Sequence, residues 1–254
     1  MSIKKQTIVR FRLDAIPNLP EKIWTEVDEY SGKEWELPQN PESLESLIGK
    51  TESDRLYAIK SSAECNVQLR EALSPYLKSK DKQARLLAIE WVVYDWGHVR
   101  GKSEKHEKWP EQLKKFEPDV INDFISANYQ NRIASWSKVL GFADSSNYAI
   151  YDARVAMSLN AILDNTSYKY RFYMPPPSST KLSGLFSNIK NHVAGHYAGK
   201  QPTYLGYFDY MDLLNAFVDR GLALSVLEAE MRLFAHGMTF AQRYAEKHNL
   251  PYQN

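Results

Sequence analysis

The run Tyr148-Ala149-Ile150-Tyr151-Asp152-Ala153-Arg154-Val155-Ala156 carries the residues of this chain best suited to chemistry. An aspartate that follows an apolar pair and opens a helical pattern is placed to cap that helix. Its carboxylate then accepts backbone N–H bonds at the positive end of the helix dipole, and its second oxygen can face a cleft. A carboxylate held that way can stabilise a positive charge developing beside it, or activate a water. Tyr148 and Tyr151 are candidates to line a pocket next to it. Other sites carry weaker signals. His192-Val-Ala-Gly-His196 sets two imidazoles at i and i+4, the spacing of a metal-binding helix face. No glutamate follows His192, and Gly195 weakens the helix, so phosphate contact or simple exposure is favoured and no metal is expected. Cys65 is the single cysteine. It excludes a disulfide framework and a cysteine-rich zinc site, and is expected to be buried on a helix. Gly184 and Gly195-His-Tyr-Ala-Gly199 match no nucleotide-binding loop, and no cofactor is expected.

Charge is balanced overall and uneven locally. The 254 residues include 32 Lys and Arg against 31 Asp and Glu, a net of +1. From Asp14 to Asp54 there are 11 acidic residues against Lys22, Lys33 and Lys50, a net of −8. From Asn165 to Phe208, 44 residues contain no Asp or Glu but hold Lys169, Arg171, Lys181, Lys190 and Lys200, with His192 and His196. Nine aromatic residues are interleaved there. Cations attract phosphate and aromatic faces stack on unpaired bases, so Lys181, Lys190, His192, His196 and Lys200 are candidate DNA contacts. A second basic cluster, His98 to Lys108, reads as a solvated loop.

The elements that must position these residues are mostly helices. Hydrophobic residues at 43% and charged residues at 25% suit a globular chain. No apolar run approaches the ~20 residues that span a bilayer, and Met1-Ser2-Ile3-Lys4-Lys5 lacks the apolar core of a secretory signal, so a reducing cytoplasm is the expected setting. Thr7 to Leu13 alternates as a strand. The following forty residues hold four prolines and no sustained period, with short strands expected near Ile23-Trp24 and Glu34-Trp35-Glu36. From about residue 63 the chain turns helical. Asp81 caps a helix carrying Leu86, Ile89, Val92 and Val93 and stopped by Gly97. Pro110 and Pro118 each open a helical turn. Apolar stripes then follow: Val120, Ile121, Phe124 and Ile125; Ile133, Trp136, Val139 and Leu140; Val155, Leu159, Ile162 and Leu163. Pro175-Pro176-Pro177 is a rigid linker. Helices are expected around Phe186–Val193, around Leu213–Val218 up to Gly221, and from a capping box at Ser225–Glu228 to Gly237. The fold class is therefore mainly α, with a partly β or irregular segment over 1–62 and a helical domain over 63–254.

The pattern Ile150-Tyr151-Asp152-Ala153-Arg154-Val155 resembles the catalytic segment of the helix-hairpin-helix DNA glycosylases, Val-Asp-(Thr/Val/Ser)-(His/Arg)-Val, with the nearest likeness to the 8-oxoguanine glycosylase branch. In that superfamily a hairpin of two helices precedes the segment. Here the resemblance gives the hairpin residues 118–142, with Pro118 to Ser126 and Arg132 to Phe142 as its helices, and the catalytic-type segment 148–163. It covers under a fifth of the chain. The implied architecture is a two-lobed helical glycosylase, and the implied catalytic residue is Asp152. The hairpin turn Ser126-Ala-Asn-Tyr-Gln-Asn131 departs from the family pattern, because it lacks the glycines that let backbone amides approach a DNA phosphate. The lysine that forms a Schiff base in bifunctional members falls at Arg132, which offers no amine nucleophile. Lys138, one and a half turns further on, is expected to face elsewhere.

The implied activity is a monofunctional DNA glycosylase without lyase activity. It flips a damaged or modified base out of DNA and hydrolyses the N-glycosidic bond, in genome repair or in defence against phage with modified DNA. Arg132, Lys138, Tyr148, Tyr151 and Arg154 join the cations of the 165–208 stretch as the expected DNA- and base-binding set. DNA is the expected partner, a membrane is not, and a monomer is the default. The competing reading is a non-catalytic DNA-binding or interaction protein that keeps the glycosylase fold.

Overall fold

The computed structural model describes residues 18–27, 37–38, 41–99, 125, 132–166, 168, 170–176, 180–195 and 204–251. Within them the chain is mainly helical. In order come α1 (Leu19–Val27), α2 (Pro41–Ile48), α3 (Lys50–Tyr57), α4 (Ser62–Leu77) and α5 (Lys82–Glu90), which continues into a π-helical turn over Trp91–Trp96. Then follow α6 (Ile133–Ala143), α7 (Ala153–Asp164), β1 (Arg171–Phe172), α8 (Thr180–Gly195), β2 (Tyr204–Leu205), α9 (Tyr207–Asp219), α10 (Val226–Ala235) and α11 (Gly237–Lys247). The two short strands pair in parallel, Arg171 opposite Tyr204 and Phe172 opposite Leu205. Among the described residues no helix is long and apolar enough to cross a membrane.

Local chemistry explains the helix ends. Ser61 accepts from the Glu64 amide at the start of α4, and Asp81 accepts from the amides of Gln83 and Ala84 at the start of α5. Ser225 caps α10 through Glu228 N–H, and the Glu228 carboxylate reaches back to the Leu224 amide at 2.7 Å. Gly221 follows α9 at φ +67°, a left-handed position that favours glycine. The π turn widens the helix at Trp91, Val92, Val93 and Tyr94, four consecutive residues that are all buried, before Gly97 ends it.

One apolar core runs from Leu19 in α1 to Ala245 in α11. Its axis is the pair α6 and α7. Residues 135–143 of α6 are buried without a break, and so are residues 155–163 of α7. Helices buried on every face lie inside a bundle rather than on its surface. α7 packs on α1, α10, α11 and β1, while α6 packs on α4 and the π turn. Polar groups on α7 are answered where they arise. Asn160 clamps the Phe172 backbone, its Oδ1 accepting from N–H at 2.7 Å and its Nδ2 donating to C=O at 2.9 Å.

Two sequence expectations change in the N-terminal part. Ile23 and Trp24 belong to α1, not to a strand, and α2 and α3 fill residues 41–57, which were expected to be irregular. These helices are short. α2 buries only Leu44, and α3 only Ser53 and Leu56, so no apolar period accumulates along the sequence. α1 spaces Leu19, Ile23 and Val27 four residues apart, the signature of a helix face. The strands expected at Thr7–Leu13 and Glu34–Glu36 lie outside the described residues, as does the first hairpin helix apart from Ile125, which is helical and fully buried.

Candidate active site

Asp152 stands where the loop 148–151 turns into α7. Its Oδ1 accepts from the amides of Arg154 at 2.9 Å and Val155 at 3.2 Å, the N-cap that the sequence called for. The residue is half-buried. Among the described residues its Oδ2 has no hydrogen bond and no ion pair. Arg154 does not close over it, because the guanidinium carbon lies 4.7 Å from the centroid of the Phe234 ring. The acid is therefore neither sealed in the core nor locked to a guanidinium.

The backbone leading to Asp152 is held in an unusual way. A buried loop inside a helical core lacks the ladder bonds of a helix or sheet, so its peptide groups need other partners. Three helices supply them through side chains. The Tyr207 hydroxyl of α9 accepts from Ala149 N–H at 3.1 Å and donates to Ala149 C=O at 2.7 Å. Glu230 of α10 accepts from Ile150 N–H at 2.8 Å, and the Tyr210 hydroxyl of α9 donates to Ile150 C=O at 3.2 Å. Ser137 of α6 accepts from Tyr151 N–H at 3.0 Å and donates to Tyr151 C=O at 3.3 Å. Both peptide groups of each of three consecutive residues are thus satisfied by buried side chains. Burial pushes the Tyr151, Tyr207 and Tyr210 hydroxyls well above the usual phenol range, so they act as neutral donors.

Lys138 follows Ser137 on α6 and is 5% exposed. Its Nζ donates to Ala134 C=O at 2.8 Å. Its stem crosses Gly97 so closely that a Cβ there would lie 2.8 Å from Cδ. Burial pushes the amine below the ordinary lysine range, Asp152 and Glu230 pull it back up, and Arg154 adds to the depression. Lys138 is thus buried, with its amine on the Ala134 carbonyl within its own helix. The reason is that α6 has no solvent face over residues 135–143, so a lysine there turns inward.

The remaining expected site residues scatter. Tyr151 is fully buried, and its hydroxyl donates to Tyr173 C=O at 2.6 Å; it packs on Tyr210 and supports the segment from behind. Tyr148 is buried at 8% exposure. Arg132 is exposed, in a left-handed conformation with φ 59°, just before α6. Lys190 is exposed on α8, with Nζ 5.7 Å from the Tyr173 ring centroid. His192 is half-buried; its Nδ1 lies 3.0 Å from the Tyr244 hydroxyl and its ring stacks on His248 at 4.4 Å. Lys181 falls within α8, though its side chain lies outside the described residues, as do His196 and Lys200 altogether. The described structure groups Tyr151, Asp152 and Arg154 at the start of α7 and buries Lys138 on α6.

Sequence reasoning missed Ser137, Tyr207, Tyr210, Glu230 and Arg70. A signal for two of them existed. Glu230 sits on the buried stripe Val226–Leu233 of α10, and Arg70 on the buried stripe Asn66–Leu73–Leu77 of α4. A charge on an apolar helix face points to a buried partner, and these two are each other's. No family model, curated protein or solved structure matches the chain.

Proposed function

We propose that the chain is a DNA glycosylase that excises a damaged or modified base and leaves an abasic site. The observation that carries this reading is Asp152, an N-cap carboxylate with one oxygen committed to the helix and the other open, presented by a backbone fixed on both sides. In the proposed reaction the everted nucleotide lies with its sugar against Asp152. As the C–N glycosidic bond breaks, its electron pair leaves with the base, and positive charge grows on the sugar. The open carboxylate oxygen stabilises that charge and takes a proton from the attacking water. Arg132 and the cations of the 165–208 stretch supply phosphate contacts.

The lysine supports a second course for the same chemistry. Lys138 is buried, deprotonates more readily than an ordinary lysine, and feels the charge of Asp152. Once deprotonated, that amine can replace water as nucleophile at C1′: the base leaves with the C–N electron pair, the attacking nitrogen loses its proton, and an imine forms as the sugar ring opens. That course adds strand cleavage to base release and departs from the monofunctional expectation.

Asp152→Asn tests the reading, because asparagine caps a helix about as well as aspartate. The variant is expected to bind DNA like the wild type and to lose alkali-revealed breaks by about 100-fold or more. Equal breakage by both proteins, or none by either on any substrate the wild type binds, contradicts it. Borohydride reduction separates the two courses. A covalent protein–DNA species that disappears in Lys138→Gln marks the amine, and its absence beside active base release marks water.

A further inference from the structure

Glu230 and Arg70 form an ion pair inside the core, with side chains 1% and 2% exposed. The pairing is two-pronged, NH1 to Oε2 at 3.0 Å and NH2 to Oε1 at 2.5 Å. Arg70 is fixed on its other sides: Nε donates to Asn66 Oδ1 at 2.9 Å, NH1 also reaches Gly141 C=O at 3.4 Å, and the guanidinium lies 5.1 Å from the Phe142 ring centroid. A buried pair of this kind adds little net stability, since apolar residues of equal volume often serve as well. Its geometry indicates a second task. Glu230 Oε2 also takes the Ile150 amide at 2.8 Å, two residues before Asp152. The carboxylate is therefore shared between α4, α10 and the segment that carries the acid.

We propose that Glu230 is a positioning residue for Asp152: anchored by Arg70, it holds the Ile150 amide two residues before the acid and so aims its carboxylate. The inference rests on the glycosylase reading for what the acid does, but not for how it is held. Glu230→Gln keeps the size and an acceptor for Ile150 and removes the charge.

Amide hydrogen exchange in the full chain without DNA gives the decisive measurement. The Ile150 amide is expected to exchange about 10-fold or more faster in Glu230→Gln, beyond any change in core amides of α11, because its charge-assisted bond is lost. An Ile150 rate that rises no more than those core amides overturns the proposal and leaves Glu230 as a core residue. If Glu230→Gln does not fold, the double variant Arg70→Gln/Glu230→Gln avoids an uncompensated buried charge. It is read by the same exchange with the same two outcomes. On any DNA substrate that the wild type cleaves, Glu230→Gln is expected to lower kcat about 10-fold or more with KM within about twofold. An unchanged kcat also overturns the proposal. A wild type that releases no base from any DNA defeats the glycosylase reading alone, and the exchange measurement still decides the part played by Glu230.

Discussion

A lysine buried to 5% exposure in the middle of a helix is costly unless something uses it. Lys138 keeps one backbone acceptor and two negative neighbours, and burial still holds its amine below the ordinary range. The folded state therefore favours the neutral amine more than the unfolded chain does. Stability from this residue is lowest below the folded value of the amine and recovers as pH rises from there toward the unfolded lysine value of about 10.4. Lys138→Met fills the same channel beside Gly97 without an ammonium. It is expected to raise the urea midpoint at pH 7 by an amount equivalent to about 1 kcal/mol or more, while removing any borohydride-trapped species. A lower midpoint contradicts the view that Lys138 is retained for chemistry at the expense of stability.

At the scale of elements, the loop 149–151 depends on side chains from α6, α9 and α10 rather than on a sheet. Tyr207→Phe removes both bonds to Ala149 and leaves a buried peptide without partners. The expected loss is about 1–3 kcal/mol, with Ala149 amide exchange rising about 10-fold or more beyond that of core amides in α11; exchange that rises equally everywhere argues against a local cradle. This arrangement also shows what the sequence could convey. Asp81, Ser225 and Asp152 were legible as caps, because a cap is decided by residues two or three positions apart. The stripes of α5, α6 and α7 were legible from their 3.6 period, and Cys65 was expected on a helix and is buried there. Long-range partners were not. Tyr207 meets Ala149 across 58 positions and Arg70 meets Glu230 across 160, and no local period encodes such a pairing. α10 ends just before Gly237, as the stop reading had it, and Gly237 then opens α11, its missing side chain admitting Arg154, whose Cβ would lie 2.6 Å from an added Cβ. The stripe Phe240, Ala241, Tyr244 and Ala245 was there to reveal the helix that follows.

For the whole molecule, Asp164 joins distant parts of the chain at the end of α7. Its Oδ2 meets Lys247 Nζ and His248 Nε2 at 2.7 Å each, and its Oδ1 lies 3.4 Å from Arg171. Burial works to raise this carboxyl, but the hydrogen bonds and charges of Lys247 and His248 prevail and hold it below the usual carboxylate range. With the folded value below the unfolded one, near 3.9, its contribution is present above about pH 4 and is lost as pH falls through the folded value. Asp164→Asn is expected to cost about 1–3 kcal/mol at pH 7 and to flatten the acid limb of the stability curve; thermal melts from pH 7 to pH 3 check both, and a variant as acid-sensitive as the wild type contradicts this assignment. The cations of the 165–208 stretch act at the same scale, and DNA affinity, if they carry it, falls steeply with salt.

In the proposed glycosylase reaction Asp152 is the group that meets the sugar of an everted nucleotide. The most direct test of that role is mass spectrometry of the small molecules released when the purified chain is incubated with DNA rich in damaged and modified bases. A free base, accompanied by an equal number of abasic sites and absent with Asp152→Asn, is the expected result. Intact DNA with no free base, from a wild type that demonstrably binds it, would contradict the central claim.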